Sequence, residues 1–231
     1  MTQGGEAEAE RQRRAAGETA AGLVPDGSTI GFGTGRAATA ALEALARRMR
    51  EGLRVRGVPT SLRTAETARK LGLTLVSLEE AGPIDLVIDG VDEVDPALQV
   101  LKGGGGALTR EKLVALSARE RVLVLEESKR VARLGETRGL PIELLAFGWP
   151  QTLARIAEVL PGALLRRNPD GTPTASDNGA LLCDAPIPLG ADLRALGREV
   201  KLVSGVVEHG LFLDLSPTLM IGGPSGVRVL R

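Results

Sequence analysis

Short apolar runs alternate with helical patterns through the first half of the chain, and that alternation leaves few folds open. Residues 28–32, 53–58, 73–77, 84–88 and 121–125 read as strands. Between the first two, Ala38, Ala41, Leu42, Leu45, Ala46 and Met49 recur at the spacing of one buried helical face. Residues 64–71, closed by Gly72, and 107–118 carry further helices. An Ala-, Glu- and Arg-rich helix over 6–22 precedes them and ends at a Pro25-Asp26-Gly27 turn. Strands alternating with helices predict a mainly parallel sheet covered on both faces.

The pattern changes near residue 138. A strand is expected over 141–146, a helix over 151–160 and a strand over 163–167. The turns Asn168-Pro169-Asp170-Gly171 and Asp177-Asn178-Gly179 follow, then a strand over 180–184, a short helix over 192–197 and a strand over 201–204. The order βαββαβ suggests a small ferredoxin-like unit. Residues 210–215 and 219–221 are expected to return to the first domain. The expected fold is therefore α/β: a Rossmann-like, mainly parallel sheet domain formed by 1–137 plus 209–231, with a smaller ferredoxin-like α+β domain over 138–208.

Composition prunes the chemistry. Basic and acidic residues balance at 29 each, so the chain carries no electrostatic footprint for nucleic acid or an anionic membrane. No apolar run approaches the length that spans a bilayer. Residues 6–14 alternate in charge, unlike a signal or transit peptide. Cys183 is the single cysteine, which forbids an intrachain disulfide and fits a cytoplasmic location. There is one histidine, His209, and no tyrosine. A His-rich metal site and the Cys/His zinc patterns are excluded, and no Gly-x-Ser-x-Gly elbow accompanies His209. Acid–base work falls to carboxylates and lysine, and His209 reads as structural.

Three motifs stand out. Gly31-Phe32-Gly33-Thr34-Gly35 follows a strand and opens a helix, where unshielded N–H groups favour an anion. A dinucleotide site also needs an acid at the tip of the second strand. That strand ends in Val58-Pro59-Thr60, so a monophosphate is preferred to NAD, and a ligand-free tight turn is the plain alternative. Asp89-Gly90-Val91-Asp92-Glu93 lies at the carboxyl end of a buried strand, where α/β proteins gather ligands. Asp89 and Asp92 could grip sugar hydroxyls and shuttle protons there; a solvated acidic turn is the alternative. Lys102 precedes four glycines at 103–106, a run with a heavy conformational cost. A flexible linker explains it poorly, since a strand-like segment precedes and a helix follows. Close approach to a ligand, with N–H groups aimed at developing negative charge, explains it better. Glu111, in the first turn of that helix, reads either as a general base or as an acid favoured by the helix dipole. Lys129 is either a further cation at the same mouth or a surface lysine.

Together with Pro59-Thr60-Ser61 and the stretch from Lys102-Gly103-Gly104-Gly105-Gly106 to Ala107-Leu108-Thr109-Arg110-Glu111-Lys112, these residues resemble ribose-5-phosphate isomerase, type A, in that family's order and spacing. The resemblance runs from about residue 20 to the C terminus. It implies an aldose–ketose isomerase of the non-oxidative pentose phosphate pathway, interconverting D-ribose 5-phosphate and D-ribulose 5-phosphate through an enediolate, with no cofactor and no metal. Glu111 matches the family's base. Asp89 and Asp92 match the acids that contact the sugar and assist ring opening, with Gly90 and Val91 in the same turn. Lys102 with Gly103, Gly104 and Gly105 matches the group that stabilises the enediolate oxygen. Lys129 matches a substrate-binding lysine, and Thr34, Gly35, Arg36 and Ala37 match the substrate-binding loop. Arg36-Ala37 departs from the family's usual Ser-Thr, and Val91 from its usual alanine. Arg36 is expected either to give phosphate a charge-assisted bond or to face solvent. The second domain resembles the part used for contacts in a homodimer or homotetramer. The implied partner is a pentose phosphate, with no nucleic acid and no membrane. A non-catalytic sugar-phosphate sensor and a deaminase or lactonase are the other readings; the scarcity of histidine counts against the last two.

Overall fold

The computed structural model describes residues 3–231. In chain order the elements are α1 (Gln3–Gly22), β1 (Thr29–Phe32), α2 (Arg36–Arg50), β2 (Arg56–Pro59), α3 (Leu62–Lys70), β3 (Thr74–Leu75) and β4 (Ile84–Gly90). Then come β5 (Glu93–Val94), β6 (Val100–Leu101), α4 (Leu108–Ser117), β7 (Ala118–Glu126) and a 3-10 turn at Glu127–Lys129. The remainder is β8 (Leu140–Leu144), α5 (Trp149–Val159), β9 (Leu164–Leu165), β10 (Leu181–Ala185), α6 (Leu193–Leu202), β11 (Val206–His209), β12 (Leu211–Phe212), β13 (Thr218–Gly223) and β14 (Gly226–Leu230). The chain divides into two compact units. Met1–Val91, Arg110–Lys129 and Leu215–Arg231 form the first; Asp92–Thr109 and Arg130–Asp214 form the second.

The first unit is built on a seven-stranded sheet of order β14-β13-β7-β4-β1-β2-β3, in which only the β13–β14 pair is antiparallel. A parallel strand covered on both faces must be apolar throughout. Six of the seven β4 residues are accordingly buried. The helical stripe read from the sequence does bury: Ala38, Ala41, Leu42, Leu45 and Ala46 of α2 join Ile30, Phe32, Leu86 and Ile88 in one core, with Met49 packed at its margin. Strand order reverses between β1 and β4. Such a reversal opens a crevice outside the carboxyl ends of the two strands, and the glycine turn and the first acid of the acidic cluster stand there.

The second unit holds a four-stranded antiparallel sheet of order β11-β8-β10-β9. Numbered within the unit, the βαββαβ segment gives strand order 4-1-3-2. Side chains alternate along a strand: Leu140, Ile142 and Leu144 of β8 pack with Ile156, Leu160, Leu196 and Val200 in the core shared with α5 and α6. Pro141 and Glu143, between them, turn to the other face. A small three-stranded sheet of order β12-β6-β5 completes the unit.

Three expectations need correction. Helix α6 does not stop at 197, and residues 201–204 are no strand. The buried face Leu196–Gly197–Val200 continues the helical period to Leu202, and the strand begins at Val206. Residues 211–212 do not return to the parallel sheet: Leu211 and Phe212 pair with Leu101 and Val100, and the return starts at Leu215. The sequence reading had only a strand-like segment before Lys102; its hairpin partner β5 escaped because each strand has only two residues, too few to show alternation. Segment 92–109, read with the first domain, clusters with the second unit. No helix among the described residues is long and apolar enough to cross a membrane.

Candidate active site

In the first unit the chain leaves β1 through Gly33, whose amide donates to Ile88 O at 2.9 Å. The approach is so close that a Cβ on Gly33 would lie 2.3 Å from Asp89 Oδ1. Asp89, at the end of β4, is 2% exposed. Its Oδ1 accepts the Thr34 amide at 3.0 Å and the Gly90 amide at 2.7 Å. The Thr34 hydroxyl lies in a cluster with Thr60 Oγ1 (2.8 Å), Ser61 Oγ (2.9 Å) and Thr64 Oγ1 (3.1 Å). Ser61 also caps α3 by accepting from the Thr64 amide, and Thr60 and Thr64 bond back to the carbonyls of Phe32 and Gly33. Pro59-Thr60-Ser61 is thus the brace for the turn. Gly35 is the N-cap of α2 at φ 98° and offers no side-chain cap. Ala37 lies beside Gly90, where an added Cβ would stand 3.7 Å from the Ala37 methyl. Glu111 occupies the first turn of α4 and is 4% exposed. Lys129 ends the 3-10 turn that follows β7 and is half-buried, as is Val91.

In the second unit Asp92 holds the glycine loop. Its Oδ2 accepts the Gly104 amide at 2.6 Å and its Oδ1 accepts Arg138 Nη1 at 3.1 Å. Arg166 grips the loop from the other side, donating Nη1 to the carbonyls of Gly103 and Gly104 while Nε and Nη2 bind Asp184. A cavity of about 340 Å³ is lined by Gly104, Arg138, Gly139, Pro141, Arg166 and Asp184. Gly105 is exposed, and Gly106 donates its amide to Gly103 O. Lys102 is 3% exposed, with its backbone bound to Gly210 O and its ammonium 5.8 Å from the Phe212 ring centroid, within cation–π range. Glu93, the third acid of the cluster, does different work. It is fully buried and accepts the amides of Gly135, Thr137 and Arg138 and the Thr137 hydroxyl. It anchors the loop that carries Arg138.

The model of the family described as ribose 5-phosphate isomerase A (phosphoriboisomerase A) matches residues 56–226. The chain belongs to that family. Ribose-5-phosphate isomerase A of Synechococcus sp. (strain JA-3-3Ab) is 44% identical over 227 residues, spanning 97% of this chain and 99% of the relative. That of Thermomicrobium roseum is 46% identical over 224 residues, spanning 96% and 94%. Among solved structures, ribose 5-phosphate isomerase A from Methanocaldococcus jannaschii superposes with a TM-score of 0.90 at 33% identity, covering 96% of this chain and 99% of that one. A D-ribose-5-phosphate isomerase in complex with phospho-erythronic acid superposes with a TM-score of 0.92 at 30% identity and the same coverage.

Against the isomerase A reading of the sequence, three placements are informative. Arg36, which stands where the family usually has serine, is exposed and ion-paired with Glu6 of α1. Glu6 also binds the buried Arg13 at 2.7 Å, and the Arg13 hydrogen bond, with Arg36 adding its charge, holds the Glu6 carboxyl below its usual range. Of the glycine-loop amides, that of Gly104 is committed to Asp92 Oδ2 and that of Gly106 to Gly103 O. His209 is buried, takes the Leu211 amide on Nδ1 and sits against Gly197; its surroundings are structural. Sequence reasoning missed Arg138 and Arg166, because neither lies near a motif: Arg138 bonds Asp92 across 46 residues of chain and Arg166 bonds Gly103 across 63. Among the described residues, no group of three or more His, Cys, Asp or Glu side chains is arranged to hold a metal ion.

Proposed function

We propose that this chain interconverts D-ribose 5-phosphate and D-ribulose 5-phosphate through an enediolate, as an isomerase of the non-oxidative pentose phosphate pathway. The observation that carries the reading is the burial of three ionisable side chains, Asp89, Lys102 and Glu111, all at 4% exposure or less, in a family member whose relatives carry that activity in their names. Burying charged groups is costly, and proteins accept such costs chiefly at working sites.

In this proposal the sugar phosphate anchors its phosphate at the uncapped start of α2, on the amides of Gly35, Arg36 and Ala37 beside Thr34. Asp89 and Asp92 contact the sugar hydroxyls, and Asp89 assists ring opening by moving the proton between O1 and the ring oxygen. Glu111 then removes the C2 proton and returns it to C1. Between these steps the charge rests on the enediolate oxygens, where the Lys102 ammonium, at the head of the loop of Gly103, Gly104 and Gly105, opposes it. Lys129 adds a substrate-facing cation. A phosphorylated aldonic acid, such as the compound bound by the solved relative, has a carboxylate at one end and a phosphate at the other. That is the charge pattern of the enediolate. The reading extends to a cytoplasmic location and to a homodimer or homotetramer with contacts through the βαββαβ unit, which exposes Leu145, Phe147, Leu164 and Leu202.

The test is a coupled assay with ribose 5-phosphate and no added metal, run beside Glu111→Gln. Wild-type chain is expected to turn over and to wash solvent deuterium into the transferred position. Glu111→Gln is expected to lose about 10²–10⁴-fold in kcat, the usual worth of a general base, while KM stays within a few-fold. Turnover unchanged in that variant would remove Glu111 from the mechanism.

A further inference from the structure

Helix α4 carries Glu111 in its first turn, and Thr109, two positions before it, is bonded to a buried carboxylate. Strand β8 sends Leu140, Ile142 and Leu144 into the core, so Pro141 and Glu143 face the other way. That opposite face is a platform for the segment from Lys102 to Thr109. A Cβ on Gly103 would lie 2.9 Å from Pro141 Cβ, one on Gly106 would lie 2.9 Å from Leu182 Cδ1, and one on Gly210 would lie 2.9 Å from Pro141 Cδ. Glu143 is fully buried in this platform. Its Oε2 accepts the Thr109 hydroxyl, and its Oε1 accepts Ser176 Oγ at 2.6 Å and Asn178 Nδ2 at 2.9 Å. Its hydrogen-bond donors among the described residues are all neutral. A carboxylate buried without a cation is an expensive way to brace a strand, and an apolar residue would pack there at lower cost.

We infer that Glu143 and Thr109 are positioning residues for the isomerisation: the Glu143–Thr109 bond sets the first turn of α4, and so the direction in which Glu111, two positions on, leaves the helix. Thr109 and Glu111 are two positions apart on one helix, about 200° around it at 3.6 residues per turn. A bond made by Thr109 therefore holds the helix from the side away from Glu111, and any rotation that breaks it swings the Glu111 carboxyl. Ser176 and Asn178, on the turn before β10, satisfy the second oxygen of Glu143. The inference rests on Glu111 being the base.

The experiment compares Thr109→Val, Thr109→Ser and Asn178→Ala in the full chain, measuring kcat, KM for ribose 5-phosphate and thermal midpoint. Thr109→Val is expected to lower kcat about ten- to hundredfold, the scale set by ångström-level misplacement of a reacting group, with KM within about twofold. Thr109→Ser, which restores the hydroxyl, is expected to recover kcat to within about threefold. Asn178→Ala strips a donor from the same carboxylate without touching α4; its midpoint is expected to fall as in Thr109→Val, with kcat held within about twofold. Thr109→Ala serves in place of the valine variant if that fails to fold. Equal kcat losses in Thr109→Val and Asn178→Ala, tracking the midpoints, would reduce the network to plain stability and overturn the inference. So would wild-type kcat in Thr109→Val. Wild-type turnover in Glu111→Gln would overturn it by a separate route, through the base assignment itself.

Discussion

Asp92 and Gly104 are fitted to each other. The Gly104 amide donates to Asp92 Oδ2 at 2.6 Å, and a Cβ at position 104 would stand 2.8 Å from Asp92 Oδ1 and 2.1 Å from Arg138 Nη1. No residue with a side chain occupies that position without displacing the Arg138–Asp92 pair. Gly104→Ala is therefore expected to lower kcat/KM about 10–100-fold by shifting the loop that follows Lys102. The thermal midpoint should change little, because the loop tip is exposed. Steady-state kinetics beside a melting curve checks this; unchanged kinetics would show that the loop adapts.

Gly33 stands in the same relation to Asp89, but in a buried place. A Cβ there would overlap Asp89 Oδ1 at 2.3 Å and Asp89 Cα at 2.4 Å. Gly33→Ala must push the carboxylate off the Thr34 and Gly90 amides. It is expected to cost about 1–3 kcal/mol, as overpacking does, and most of the turnover as well. Urea unfolding and the coupled assay read the two effects; loss of stability with full activity would separate Asp89 from the chemistry.

Lys102 offers a cleaner removal of charge. Its stem is buried and its ammonium faces the Phe212 ring at 5.8 Å. Lys102→Met keeps the apolar stem while deleting the cation. The expected loss is about 10²–10³-fold in kcat, the worth of one oxyanion-stabilising donor, with the fold intact by circular dichroism. A kcat within a few-fold of wild type would reassign the oxyanion group.

Cys183 gives a prediction of another kind. Burial in β10, helped by the charge of neighbouring Asp184, pushes its thiol up to about 12. The folded state thus favours the neutral thiol. Its contribution to stability is complete below the ordinary thiol value of 9.0 and is lost as the pH climbs from there toward about 12. A thiol-specific reagent at pH 8 is expected to label the chain only after denaturation; stoichiometric labelling of the native protein would mean that β10 opens readily.

The acidic cluster shows where sequence reading stops. Asp89, Asp92 and Glu93 lie within five residues on the page, and residue type alone grouped them. The fold sends each elsewhere: Asp89 to the amides after β1, Asp92 to the glycine loop, and Glu93 to a loop more than 40 residues downstream. The same limit hid Arg138 and Arg166, whose value to the glycine loop lies wholly in contacts distant in sequence. The α6 boundary failed for a related reason: Lys201-Leu-Val-Ser reads as a strand locally, yet the buried face of Leu196 and Val200 carries the helix through Leu202.

What the sequence determined by itself is whatever repeats locally or is written in contiguous motifs. Helical and strand periods placed the parallel sheet and the βαββαβ unit, and the glycine, acid and lysine blocks marked the candidate site residues. Only the tertiary structure decided which donor meets which carboxylate: Gly104 for Asp92, Thr109 for Glu143, Arg166 for the carbonyls of Gly103 and Gly104. Periodicity arises from neighbours along the chain, whereas a buried charge is satisfied by whatever group the folded backbone brings within hydrogen-bonding distance, and sequence separation carries no record of that distance.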